Sequence, residues 1–375
     1  MAATVNQGAQ GERALSRLRY EIEYHVTSDR DDDSMFKVRR NGKVFYIRVF
    51  PSEFVDSPAT TKTYMRYLEL LQSGLEVIDG VDGSDEIYDT DVFEWATQPF
   101  ESFFVELAPD PAPPGARGDI KLTLWDYLNP EVFIINLDVV DEELRPRRLE
   151  MERSPYSSCP PVWLDRDFLD DLETWTTLYD PANIVLSYQN PEDALFKPPR
   201  KVLIDNEQTA CFLKLCDSPR QTENELMAYK KIAAASLDSR LNLCRVHGVV
   251  LDEGRFVVGI LLTHVDHDNP ILSCRVDPDF PAAAVKQRWV DQLDSTLAEL
   301  HKAGVVWGDA KAENVLVDRD DNAWITDFGG GYTRGWIDEK IAGTVEGDLA
   351  GMAKIREYIF QKEGQERWWT GQGIV

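Results

Sequence analysis

The stretch from His301 to Gly329, HKAGVVWGDAKAENVLVDRDDNAWITDFG, limits the possible folds of this chain more than any other. It holds an Asp-x-Lys-x-x-Asn cluster (Asp309, Lys311, Asn314), an apolar run, a polar turn, a second apolar run, and then Asp327-Phe328-Gly329. Val315 to Val317 (VLV) and Ala323 to Thr326 (AWIT) have the composition of two short strands around the Asp320-Asp321-Asn322 turn. Such a hairpin folds the two Asp-bearing ends back beside each other. The residue types suit phosphoryl transfer, which needs one carboxylate aimed at an acceptor hydroxyl, a carboxylate and an amide to hold Mg²⁺, and a lysine near the moving phosphate. Asp309, Asp327, Asn314 and Lys311 can fill those four roles.

In this order the motifs resemble the catalytic loop and metal-binding motif of the protein-kinase-like superfamily. The family pattern H-R-D-L-x-x-x-N appears as Trp307-Gly308-Asp309-Ala310-Lys311-Ala312-Glu313-Asn314. Asp and Asn keep their spacing, while Trp and Gly stand where the pattern has His and Arg. A Gly before the Asp is also a feature of the small-molecule phosphotransferases of that superfamily, so the motif does not choose the acceptor. A lone Asp-Phe-Gly would be weak; four residues in order on a strand-turn-strand are not.

At 375 residues the chain has room for one large domain or two ordinary ones, and two are expected. Hydrophobic residues at 43% and ten Trp exclude global disorder. The formal charge of -26 disfavours nucleic acid and anionic membrane partners unless a local basic patch overrides it. Five cysteines lack metal-ligand spacing, and Cys211 and Cys216 read as small core residues, as expected in a reducing compartment. With no apolar signal segment and no membrane-length apolar run, the cytosol or nucleus is the expected location.

Residues 1–12 read as a mobile tail, 13–180 as an N-terminal α+β domain of unreadable function, and 181–375 as the domain carrying the motifs. RYEIEYHV alternates like a strand, and MFKVRRNGKVFYIRVF reads as a hairpin turning at Asn41-Gly42, where both residues accept positive φ. Thr61 to Leu75 has helical periodicity with Gly74 as its stop. KLTLWDYL and EVFIINLDVV read as strands, after which DEELRPRRLEMERSPYSSCPP breaks the pattern with charge and proline. FLDDLETWTTLY reads as a helix leading to Asp180-Pro181.

From there NIVLSY, KVLI and ACFLKL read as three strands, followed by the helix TENELMAYKKIAAAS. The resemblance implies that these form a small ATP-covering lobe, with Lys214 as the strand lysine on the nucleotide phosphates and Glu225 as its helix partner. It also implies that Leu262 to Val265 form the hinge that holds an adenine. His264 and His267, three apart with no third ligand nearby, read as hinge surface. One expected part is missing. Where kinases carry G-x-G-x-x-G, this chain has QNPEDALFKPPRKV, and its prolines offer no N–H to phosphate. Lys197, Arg200 and Lys201 are the available substitutes. The helix AAVKQRWVDQLDSTLAELHKAG leads to the motif stretch, and Asp348 beyond it is placed to cap the next helix, the preferred role, or to brace the catalytic loop. Few residues remain after Gly329, so the resemblance leads to the expectation of a large lobe without its later helices, and no Ala-Pro-Glu closes the segment.

The fold expected is α+β, a two-lobe kinase-like fold with a shortened large lobe, resembling compact kinase-like proteins of filamentous fungi. That resemblance implies ATP and Mg²⁺ as cofactors and a small molecule or protein as acceptor. Two alternatives stay open: a pseudokinase scaffold, and a kinase fold repurposed for other transfer such as aminoacyl-tRNA-dependent peptide formation, for which Arg145, Arg147, Arg148 and Lys197 to Lys201 would have to belong to a basic face.

Overall fold

The computed structural model describes residues 19–80, 86–110, 121–149, 162–189, 191–266, 271–276, 281–331 and 336–360. The expected tail at 1–12, His267 and Cys159 lie outside them. The chain is α+β and forms two compact units. The first comprises the described residues of 1–159 with 185–199, and the second those of 160–184 with 200–370. The sequence places a single boundary at 180; the contacts instead interleave the two.

In the first unit β1 (Glu21–Thr27), β2 (Ser34–Arg40) and β3 (Lys43–Val49) form an antiparallel meander. Its second turn is at Asn41 and Gly42, with φ of 47° and 75°. Three helices follow: α1 (Pro58–Ser73), stopped by Gly74 at φ 69°, then α2 (Asp89–Thr97) and α3 (Glu101–Leu107). A two-strand pair, β4 (Val77–Ile78) with β5 (Ile87–Tyr88), lies between the first two helices. After α4 (Leu124–Leu128), β6 (Glu131–Val140) enters parallel to β3, and β7 (Glu143–Leu149) closes the order β1-β2-β3-β6-β7. A parallel neighbour requires a crossover, and α1 to α3 supply it. Their Tyr64, Leu68, Phe93 and Phe104 pack on Phe36, Phe45, Ile47 and Phe133.

Two sequence expectations are corrected here. KLTLWDYL is a helix over its last five residues rather than a strand, because Thr123 and Asp126 form a reciprocal capping box. The break expected at DEELRPRRLEM is instead β7: Asp141 and Glu142 turn the chain at φ 53° and 65°, and Pro146 is tolerated on an edge strand.

The first unit also claims β9 (Val185–Leu186), tied in by Leu186 N donating to Leu122 O at 2.9 Å. The segment after it, at the place of the missing glycine loop, is held by the same unit. Gly42 N donates to Leu195 O at 2.9 Å, and the Arg19 guanidinium stacks 5.4 Å from the Phe196 ring centre. Lys197 is occupied by Asp193 at 3.1 Å.

The second unit begins with α5 (Arg166–Leu172) and β8 (Thr177–Tyr179), so FLDDLETWTTLY starts as helix, turns, and ends as strand. Then come β10 (Lys201–Ile204), β11 (Thr209–Leu215), α6 (Pro219–Ala234), β12 (Val246–Leu251) and β13 (Val257–Thr263). Its strands run in the order β8-β12-β13-β11-β10, all antiparallel except β8 beside β12. Downstream are α7 (Leu272–Arg275), α8 (Ala283–Lys302), the hairpin of β14 (Val315–Val317) and β15 (Ala323–Ile325), and α9 (Val345–Phe360). One core joins them, with Trp289, Leu293, Leu297 and Leu300 of α8 buried alongside Val315, Ile325 and Ile355. Cys211 and Cys216 are buried and outside any disulfide. Among the described residues no helix is long and apolar enough to cross a membrane.

Candidate active site

The β14–β15 hairpin pairs Val315 with Ile325 and Val317 with Ala323. Asp318 secures its turn by accepting from Asn322 N at 2.8 Å and Trp324 Nε1 at 2.9 Å. As a result Thr326 N donates to Asn314 O at 3.2 Å, and the two motif ends meet. Asn314 also points its side-chain nitrogen back to Asp309, at 2.9 Å from the carbonyl and 3.1 Å from Oδ2. Lys311 Nζ lies 2.7 Å from the same Oδ2. A Cβ added at Gly331 would stand 3.5 Å from that oxygen, so the chain after Asp327 runs directly past Asp309.

Lys214 joins a second cluster. The register of β11 against β13 sets Lys214 opposite Ile260, and its Nζ reaches Glu225 Oε2 at 2.8 Å and Asp327 Oδ1 at 2.9 Å. Burial works against the ammonium charge, but Glu225 and Asp327 outweigh it and hold the Lys214 pKa above the ordinary lysine value. Burial also pushes the Glu225 carboxyl up, an effect that Lys214 only partly offsets. Glu225 Oε1 is buried without a hydrogen-bond partner. Phe328 is buried and meets the Tyr229 ring of α6 edge to face at 5.4 Å, which fixes the Asp327 loop against the helix that carries Glu225.

Asp348 does not take the preferred capping role. It is 1% exposed, and its carboxylate accepts from Trp307 N, Gly308 N and His301 Nε2, each at 2.8 Å. It braces the loop that leads into Asp309 from α9, because the loop's two amide hydrogens converge on a buried carboxylate. Gly351 makes room for this approach: a Cβ there would lie 2.3 Å from Ala310 O.

The structure therefore brings Asp309, Lys311 and Asn314 together, and Lys214, Glu225 and Asp327 together, with the peptide link at Thr326 between the sets. Leu262 is buried within β13 and Val265 is buried just past its end. Sequence reasoning gave no role to Trp307, whose indole Nε1 donates to Thr326 O at 2.8 Å, or to Tyr229. For Trp307 the signal was its departure from the pattern beside Asp309; Tyr229 carried none.

Among the described residues no three His, Cys, Asp or Glu side chains cluster as metal ligands. The donors that remain suit a hard divalent cation shared with a phosphate ligand. Asn314 spends its side-chain nitrogen on Asp309 and keeps its oxygen, and Asp327 carries a partly exposed carboxylate with one oxygen on Lys214. An all-oxygen pair of this kind fits Mg²⁺.

No family model matches the chain. It is similar over 115 residues to the Saccharomyces cerevisiae serine/threonine-protein kinase SKS1, at 34% identity, covering 29% of this chain and 22% of that protein. Over 46 residues it is 48% identical to the Mus musculus hormonally up-regulated neu tumor-associated kinase, covering 12% of this chain and 6% of that one. The Homo sapiens form gives 49% over 43 residues. The chain spans less than a quarter of the length of these curated relatives, and its similarity to protein kinases is confined to short segments.

Proposed function

We propose that the second unit carries a kinase-fold phosphotransferase that uses ATP with Mg²⁺ and transfers phosphate to a hydroxyl of a small molecule or protein. In this reading β10 to β13 with α6 form the small lobe, and α8, the β14–β15 hairpin and α9 belong to the large lobe. The observation that carries it is Lys214, whose ammonium is held between Glu225 and Asp327 across a separation of 113 residues. The short similarities to kinases support it.

Asp309 orients the acceptor hydroxyl and takes up its proton as the new oxygen–phosphorus bond forms and the bond from the γ-phosphorus to the departing ADP breaks. Lys311, already beside Asp309, neutralises charge on the moving phosphoryl group. Lys214 holds the nucleotide phosphates, with Glu225 keeping its ammonium aimed. The backbone from Leu262 to Val265 receives the adenine. Asn314 and Asp327 would hold Mg²⁺, which when bound draws negative charge off the phosphates. Replacement of Asp309 by Asn is expected to lower transfer by about 10²- to 10⁴-fold without altering the melting temperature; unchanged turnover would sink the assignment.

A second reading, a scaffold that binds without transferring, is favoured by one observation. The segment at the place of the glycine loop carries prolines and is held by the first unit through Leu195 and Phe196. Thermal shift with ATP separates the readings, because a ligand at a hundred times its Kd stabilises the native state by about 2.7 kcal/mol. Metal-dependent stabilisation together with turnover supports transfer; stabilisation without turnover supports the scaffold.

A further inference from the structure

Trp307 is fully buried, and its two N–H groups serve different elements. The backbone N–H is taken by Asp348 of α9, and the indole Nε1–H by the carbonyl of Thr326, both at 2.8 Å. A buried indole needs some acceptor, but this acceptor is the peptide oxygen immediately before Asp327. The preceding peptide, 325–326, is held as well, since Thr326 N donates to Asn314 O, and Asn314 in turn holds Asp309. Asp327 itself sits in the left-handed region at φ 62°, a conformation that its surroundings must maintain. One residue along, Gly308 lets the backbone of Gly330 approach so closely that an added Cβ would be 3.2 Å from its Cα.

We infer that Trp307 is a positioning residue: its indole N–H fixes the 326–327 peptide, and so the aim of the Asp327 carboxylate relative to Asp309. The inference rests on the phosphotransferase reading and goes beyond it, because the kinase pattern has His, not Trp, at this place. Trp307 and Gly308 then work as a pair, the first tethering the Asp327 loop and the second admitting it.

The test uses the full chain without ligand first. Trp307→Phe keeps an aromatic ring while deleting the donor and some buried volume, whereas Trp307→His is smaller still but keeps a ring N–H. Leaving the Thr326 oxygen without its donor is expected to speed amide hydrogen exchange at Asp327–Gly331 by about tenfold, with α8 changed less than twofold, and Trp307→His is expected to recover part of the protection. In the unsubstituted protein, labelled at the indole nitrogens, the Trp307 indole hydrogen is expected to exchange far more slowly than a free indole. Unchanged exchange at 327–331, a uniform rise across the second unit, or an indole hydrogen that exchanges freely would each overturn the inference, even if the phenylalanine variant does not fold. With MgATP, Trp307→Phe is expected to raise the Mg²⁺ concentration for half-maximal turnover about tenfold. If the unsubstituted chain neither binds nor turns over MgATP, the phosphotransferase reading falls, while the exchange result still decides whether Trp307 sets the loop.

Discussion

Gly308 has φ 91°, and a Cβ there would meet Gly330 Cα at 3.2 Å. Both the dihedral and the space require glycine, so Gly308→Ala is expected to cost about 1–2 kcal/mol in backbone strain alone and to push the Asp327 loop away, so that turnover falls more than the melting temperature. Calorimetry and initial rates on one preparation would show this. In the first unit His25 lies between Phe36 and Phe93, with ring centres at 6.4 and 5.8 Å. Burial lowers its pKa, against opposing effects of a hydrogen bond to the Leu71 backbone and of Asp89. Its folded pKa lies below the unfolded value of 6.5, so the unfolded chain binds more protons in that window. Stability is therefore expected to fall as pH drops through 6.5 toward the lowered value. Urea midpoints from pH 7.5 to 5.5 would record the slope, and His25→Gln should flatten it. The order of Asp309, Asn314 and Asp327 around a hairpin was readable from residue types, and the structure brings Asn314 to Asp309; Lys214 and Glu225 were singled out through the resemblance, and the structure pairs them. The partner of the Trp307 indole was not readable, since a hydrogen bond across a turn leaves no spacing in the sequence.

At the scale of elements, α9 does more than close the core. It places Asp348 under Trp307 and Gly308, and its Gly351 against Ala310. Asp348→Asn keeps the shape but turns one acceptor into a donor facing N–H groups, an expected loss of about 2–4 kcal/mol from a buried unsatisfied contact. Denaturant unfolding would measure it, and Asp348→Glu should not restore stability, because the longer arm cannot fit a site that is 1% exposed. Capping looked the simpler role because Asp348 stands in the first turn of α9, where a carboxylate is favourable in any helix. The brace depends on α9 folding back to residues 40 and 41 positions earlier, which composition cannot reveal. The same limit explains β7, where Pro146 reads as a breaker until Leu137 is seen opposite it on an edge. By contrast the Asn41-Gly42 turn, α1 with Gly74, and the β14–β15 hairpin were legible, each specified by neighbours a few residues away.

At the scale of the molecule, residues before Asp180 complete the second unit. Leu169 and Leu172 of α5, with Val162 and Leu164, are buried in its core. Val257 N donates to Val162 O at 2.9 Å, and Lys230 pairs with Asp171 at 2.6 Å. Burying four such side chains contributes about 6–12 kcal/mol, comparable to the whole stability of a domain. A fragment of residues 181–375 is therefore expected to show no cooperative melt by circular dichroism, and one of 160–375 to show one; equal melts would contradict the division. The boundary escaped sequence reading because Asp180-Pro181 is a strong local breaker, whereas the pairing of β8 with β12 is long-range. The interleaving also fixes an order of events on the ribosome. The last piece of the first unit, residues 185–199, emerges after the first piece of the second, so α5 and β8 must wait for their partners while the first unit closes. At typical elongation rates of about 5–20 residues per second, the hairpin bearing Asn314 and Asp327 follows on the order of ten seconds later. The nascent chain would then carry a finished N-terminal unit and an unpartnered α5, whose Leu169 and Leu172 are buried only once the second unit forms.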